Sequence, residues 1–73
     1  MTNTQELIAI IDAKGLKRSY IAQQMGISTY ALALKMRNDN EFLASEIDKL
    51  CEILDIKSLT KRQSIFFYKP SRI

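Results

Sequence analysis

The sequence predicts an all-α fold of four to five short helices, with a short C-terminal β-strand as an optional addition. Three observations carry this. Apolar residues recur at i, i+3 and i+4 spacing in successive windows, the periodicity of a helix buried on one face. The only two glycines, Gly15 and Gly26, each fall just after such a window, where a left-handed C-cap costs glycine no steric penalty. Asn3, Ser28 and Ser58 stand where side-chain oxygens can cap the next helix.

The first helix is expected from about Thr4 to Lys14, with Leu7, Ile8, Ile10 and Ile11 as its apolar stripe. Asn3, followed three residues on by Glu6, comes close to a capping box. The second helix should cover about Arg18 to Met25, with Ile21, Ala22 and Met25 on one face. Gly26 ends it, Ile27 is a buried apolar residue, and Ser28 caps a third helix from about Thr29 to Met36 or Arg37. Residues 38 to 41, Asn-Asp-Asn-Glu, form a turn, and Phe42 is a core anchor beneath it. The fourth helix should run from about Ala44 to Leu54, with Ile47, Leu50, Cys51 and Leu54 at i, i+3, i+4 and i+7. Ser58 caps a short helical turn through Arg62.

The stretch Ile65-Phe66-Phe67-Tyr68 is aromatic and β-prone. Left exposed, it would be a large apolar load for a monomer. It therefore either packs back on the bundle or joins a partner chain as a strand pair, and the second is the favoured reading. The expected division is a helical domain over residues 1–63 and a tail over residues 64–73 with a dimerisation strand.

Seventy-three residues make one domain. A chain of this size buries only about 60% of its unfolded surface, so the core is small. A composition 47% hydrophobic and 26% charged argues against disorder. The single cysteine, Cys51, has no disulfide partner and reads as a small core hydrophobe. No histidine is present, and no glycine-rich phosphate loop or metal-ligand spacing occurs. No enzyme activity, catalytic residue, metal or cofactor is expected, and no small-molecule substrate. No signal peptide or membrane span is expected either, which suits a cytoplasmic protein.

The net charge of +3 is ordinary, but its layout is not. Residues 13–37 hold Lys14, Lys17, Arg18, Lys35 and Arg37 with no acid. Residues 38–56 hold six acids against Lys49. Residues 57–73 hold Lys57, Lys61, Arg62, Lys69 and Arg72 with no acid. Clustered positive charge is the footprint of a nucleic-acid binder, although charge also segregates on solvated helix faces.

The most specific local signal runs from Arg18 to Arg37. Ala22 is small enough for two helices to approach closely, Gly26 supplies the positive φ of a tight turn, and Ile21, Ile27 and Leu32 close a small core beneath it. This is the spacing of a helix-turn-helix, with an ordinary helical hairpin in a small bundle as the alternative. At 3.6 residues per turn, Leu32 and Met36 face inward while Tyr30, Ala33, Leu34 and Arg37 face outward, with Lys35, Ser28 and Thr29 at the margins. Such a mixture suits a major groove: apolar groups meet the thymine methyl, and an arginine can bond guanine through two donors. The bland alternative is a protein-contact patch at Tyr30 and Leu34. Lys17, Arg18 and Lys35 would supply charge-based affinity.

With these residues in view, the sequence resembles the lambda-repressor-like helix-turn-helix family, the phage repressor and Cro group. The resemblance covers about residues 4 to 56. It rests on the Arg18–Arg37 motif, on Lys35-Met36-Arg37-Asn38, on Glu41-Phe42, and on Ser45-Glu46-Ile47-Asp48-Lys49-Leu50. It implies a bundle of four or five helices and a dimeric phage or prophage transcription regulator that binds operator double-stranded DNA. It further implies that Ser28, Thr29, Tyr30, Ala33, Leu34 and Arg37 face bases, that Arg18 and Ser19 touch phosphate, and that Asn38 and Asn40 meet the DNA backbone. Two departures stand out. Lys17-Arg18 precede Ser19 where the family starts its second helix after Ser or Thr, and Leu43 stands where the fourth helix usually has a Thr or Ser cap. The rival reading is a protein-interaction module, an antitoxin or antirepressor, acting through the acidic fourth helix or the aromatic tail.

Overall fold

Asn3 Oδ1 accepts from the Glu6 N–H at 3.2 Å, and the chain enters its first helix there. The structure, a computed structural model, describes residues 1–69. These form five helices: α1 (Thr4–Lys14), α2 (Arg18–Met25), α3 (Thr29–Met36), α4 (Ala44–Ile53) and α5 (Leu59–Phe66). No strand occurs among the described residues. The architecture is all-α, with a radius of gyration of 11.7 Å.

Each helix end has a local cause. α1 stops at Gly15, which sits in the left-handed region at φ 69. α2 starts at Arg18 with Lys17 as N-cap and no side-chain cap bond. It ends in a Schellman motif: the Gly26 N–H reaches Gln23 O at 3.1 Å and the Ile27 N–H reaches Ala22 O at 3.0 Å. That geometry needs a residue at positive φ, and Gly26 lies at φ 75. α3 and α4 end in the same double bond pattern, but there the left-handed residues are Asn38 (φ 68) and Asp55 (φ 57). Short polar side chains tolerate that conformation better than others, which is why these two need not be glycine.

The core gathers residues from all five helices. Leu7, Ile11, Ile21, Ala22, Leu32, Met36, Ile47, Leu50, Cys51, Leu54, Ile65 and Phe66 are all buried. α2 packs against both α3 and α4, and α1 against α5. Phe42, beneath the α3–α4 turn, meets Phe66 edge to face with ring centroids 5.6 Å apart. Burial pushes the Cys51 thiol above its ordinary pKa, with the nearby Asp48 charge adding to this and Arg62 opposing it.

The C-terminal segment is helical where a strand is expected from the sequence. α5 continues through Ile65 and Phe66, across the boundary drawn at residue 63, and both side chains are buried in the chain's own core. Local β propensity loses to burial: on a helix, consecutive residues 65 and 66 cover one broad inward face, whereas a strand would send them to opposite sides. Phe67 and Tyr68 stay exposed. The backbone just beyond α5 returns to the chain's start. Tyr68 N–H donates to Met1 O at 2.9 Å, and Asn3 N–H donates to Ile65 O at 2.6 Å.

Candidate functional site

The face of α3 away from the core is built by a cap and a wheel. Ser28 Oγ accepts from the Ala31 N–H at 3.0 Å and fixes the helix start. Leu32 and Met36 are then buried, which turns Thr29, Tyr30, Ala33 and Arg37 to the surface. Tyr30 is 71% exposed, one of the most exposed large side chains in the described chain. Leu34 is half-buried at the edge of this face. Ser28, Thr29, Tyr30, Ala33 and Arg37 therefore share one accessible surface, with Leu34 at its margin.

Lys35 does not join them. Its ammonium lies 2.9 Å from a Glu46 carboxylate oxygen and donates to Glu41 O at 3.1 Å, and only 13% of its side chain is exposed. Its position at the margin of the outward face suggests a DNA-facing cation. In the fold it is an internal tie between the end of α3 and the start of α4. Burial alone would push the Glu46 carboxyl up. The Leu43 N–H, the Lys35 hydrogen bond and the Lys35 charge outweigh that and hold it below its ordinary pKa. The same carboxylate repairs a weak helix start. Leu43 offers no side-chain acceptor, but its N–H donates to Glu46 Oε1 at 2.9 Å, half of a capping box.

Asn38 is likewise engaged within the chain. Its Oδ1 accepts from the Thr2 N–H at 2.7 Å and its Nδ2 donates to Thr2 O at 2.9 Å. Nearby, the Thr4 hydroxyl donates to Met36 O. A DNA-backbone contact from the Asn38 side chain would have to break a paired bond across 36 residues of sequence. Asn40 is exposed and free to make one.

The cations divide into paired and unpaired. Arg37 pairs with Asp39, Lys57 with Asp55, Lys61 with Glu6, and Arg62 with Asp48. Lys14, Lys17 and Arg18 have no acidic partner among the described residues and are exposed, as is Ser19. The second basic block is thus largely neutralised by the chain's own acids, as far as residue 69. The first keeps its charge where α1 ends and α2 begins. The uncapped N–H groups of α2 add the positive end of a helix dipole there. Helix spacing does not single out Lys14, although it lies within the same acid-free block. Asp39 is signalled in the sequence only by its two-residue spacing from Arg37.

Among the described residues no helix is long and apolar enough to cross a membrane. Comparison with protein-family models, with curated proteins and with solved structures gave no match to this chain.

Proposed function

We propose that the protein is a sequence-specific double-stranded-DNA-binding transcription regulator of the lambda-repressor-like, Cro or repressor type, acting as a homodimer on operator DNA. One observation carries the reading. A solvent-facing helix surface of mixed polarity, with exposed Thr29, Tyr30, Ala33 and Arg37, follows a three-residue turn from a helix whose start is basic and uncapped. In this reading α3 lies in the major groove. Tyr30, Ala33 and Leu34 contact base edges and thymine methyls, and Arg37 bonds a guanine. Ser28 and Thr29 approach the base edges at the helix start. Lys17, Arg18, Ser19 and Lys14 hold phosphates, with the α2 N-terminus assisting. Asn40 meets the backbone on the other side.

Phe67 and Tyr68 are the dimer contacts this reading retains, since Ile65 and Phe66 are committed to the core. Two-fold dimers read half-sites about one helical turn apart. The test is selection of bound duplexes from a random pool by the purified protein. A two-fold symmetric consensus, with affinity falling steeply as salt rises, is the expected result, because phosphate contacts release counterions. Absence of any enriched sequence would discard the reading, as would binding to a protein partner that leaves DNA untouched.

A further inference from the structure

With Lys35 committed to Glu46, Arg37 is the one cation left on the outward side of α3, and it is not free. Its Nε and Nη2 both donate to Asp39 Oδ2, at 2.9 and 2.7 Å. Both side chains are more than half exposed. The carboxylate is presented by an anchored turn. The Asp39 N–H donates to Leu34 O at 2.9 Å, and Asn38 beside it is held at both its amide atoms by Thr2.

A guanidinium has five N–H donors in a rigid fork. Asp39 takes one from Nε and one from Nη2. The two donors of Nη1 and the second of Nη2 remain, and these make up the end of the fork that can meet two acceptors at once. The pair also cancels the Arg37 charge. A neutralised, oriented fork suits the two uncharged acceptors on the guanine major-groove edge, O6 and N7. It suits a phosphate poorly, because a phosphate would come up against the Asp39 carboxylate.

We propose that Asp39 is a specificity-determining positioning residue, which orients Arg37 toward a guanine edge and keeps it from the DNA phosphates. This rests on the reading of α3 as the DNA-reading helix. Asp39 lowers affinity for every sequence that offers Arg37 only phosphate, and so widens the gap between operator and random DNA.

The experiment compares the full chain with Asp39→Asn, Asp39→Ser, Arg37→Ala and the Arg37→Ala/Asp39→Asn double variant. The probes are the duplex enriched from the random pool and a scrambled duplex of equal length, titrated over a salt series. Asp39→Asn should bind the scrambled duplex roughly three- to tenfold more tightly at low salt, as Arg37 gains a phosphate. The slope of log affinity against log salt should steepen by about 0.9. Affinity for the enriched duplex should rise less or fall, so the ratio between the two duplexes shrinks. Asp39→Ser should do the same. In the Arg37→Ala background the Asp39 change should leave the ratio unaltered. The pair is exposed, so thermal midpoints should match the parent and exclude misfolding as the cause. An unchanged or larger ratio in both Asp39 variants overturns the proposal. So does an equal shift in the Arg37→Ala background, which would mark a general charge effect. A parent protein that prefers no duplex sinks the functional reading and this proposal together, whereas a selective parent with indifferent Asp39 variants sinks this proposal alone.

Discussion

Two cations two residues apart at the end of α3 have opposite fates, and side-chain direction decides it. Arg37 ends the helix facing solvent, while Lys35 turns to the start of α4 and meets Glu46. Under the proposed function, Arg37→Ala should weaken operator binding by about 1–3 kcal/mol if its guanine contact is bidentate. An equal loss on scrambled DNA would show that it reads no base. Lys35→Ala should instead lower folding stability by about 1.5–3 kcal/mol, the scale of a hydrogen bond to a charged group. It removes two of the influences that hold Glu46 below its ordinary pKa, so that pKa should rise, observable by carboxyl NMR titration. The pH dependence follows from the direction of the shift. A carboxylate whose pKa is lowered on folding contributes stability above its unfolded pKa and loses it as pH falls through the folded value. The urea-unfolding gap between the parent and Glu46→Gln should therefore be widest near neutrality and close at acid pH. A gap independent of pH would contradict the assignment.

At the scale of elements, α2, α3 and α4 are ended by a shared device that uses different residues. Gly26 meets the left-handed requirement after α2 without strain, whereas Asp55 meets it after α4 with a side chain. Among the described residues Asp55 has only an exposed 3.6 Å pairing with Lys57 to lose. Asp55→Gly should thus stabilise the protein by about 0.5–1 kcal/mol, as the relief of left-handed strain exceeds glycine's entropy cost. Asn38 occupies the equivalent position after α3, but its amide also grips Thr2. Asn38→Ala should cost about 2–3 kcal/mol, from strain and two lost bonds together. Equilibrium denaturation of the two variants checks both signs. A loss from Asp55→Gly, or a neutral Asn38→Ala, would refute the comparison. The segment before α1 consequently links two regions, since Thr2 holds the end of α3 while Met1 and Asn3 hold the backbone beyond and within α5.

At the scale of the whole molecule, a small core leaves little margin, and α5 is part of it. Ile65 and Phe66 are each worth about 1.5–3 kcal/mol when fully buried, against the 5–15 kcal/mol or so typical of a folded domain. Truncation after Gln63 should therefore abolish or sharply weaken cooperative unfolding, as calorimetry would show, and cannot serve as a clean test of association. Phe67→Ser with Tyr68→Ser spares the core. If these residues join two copies, sedimentation of that double variant should give a monomer with an unaltered thermal midpoint measured at a concentration where the parent is also monomeric. Unchanged mass would exclude them as the dimer contact.

The sequence by itself determined the spans of α1 to α4 to within a residue, the caps at Asn3, Gly15, Gly26, Ser28 and Ser58, most of the core, and the exposure of Tyr30, Ala33 and Arg37. These depend on spacing within one or two turns, and Ser28, Gly26 and Leu32 act on their immediate neighbours. What lies between distant parts of the chain was decided only in three dimensions. Ile65 and Phe66 read locally as strand, but the space they fill beside Phe42 makes them helix and core. Lys35, Arg37 and Asn38 look alike in sequence as polar residues at the end of α3. The fold assigns the first to Glu46 and the third to Thr2, because each approaches a partner on another element. Arg37 keeps its charged end in solvent, held by its near neighbour Asp39. Local periodicity says which side of a helix is wet, but it carries no record of which charges meet across the fold.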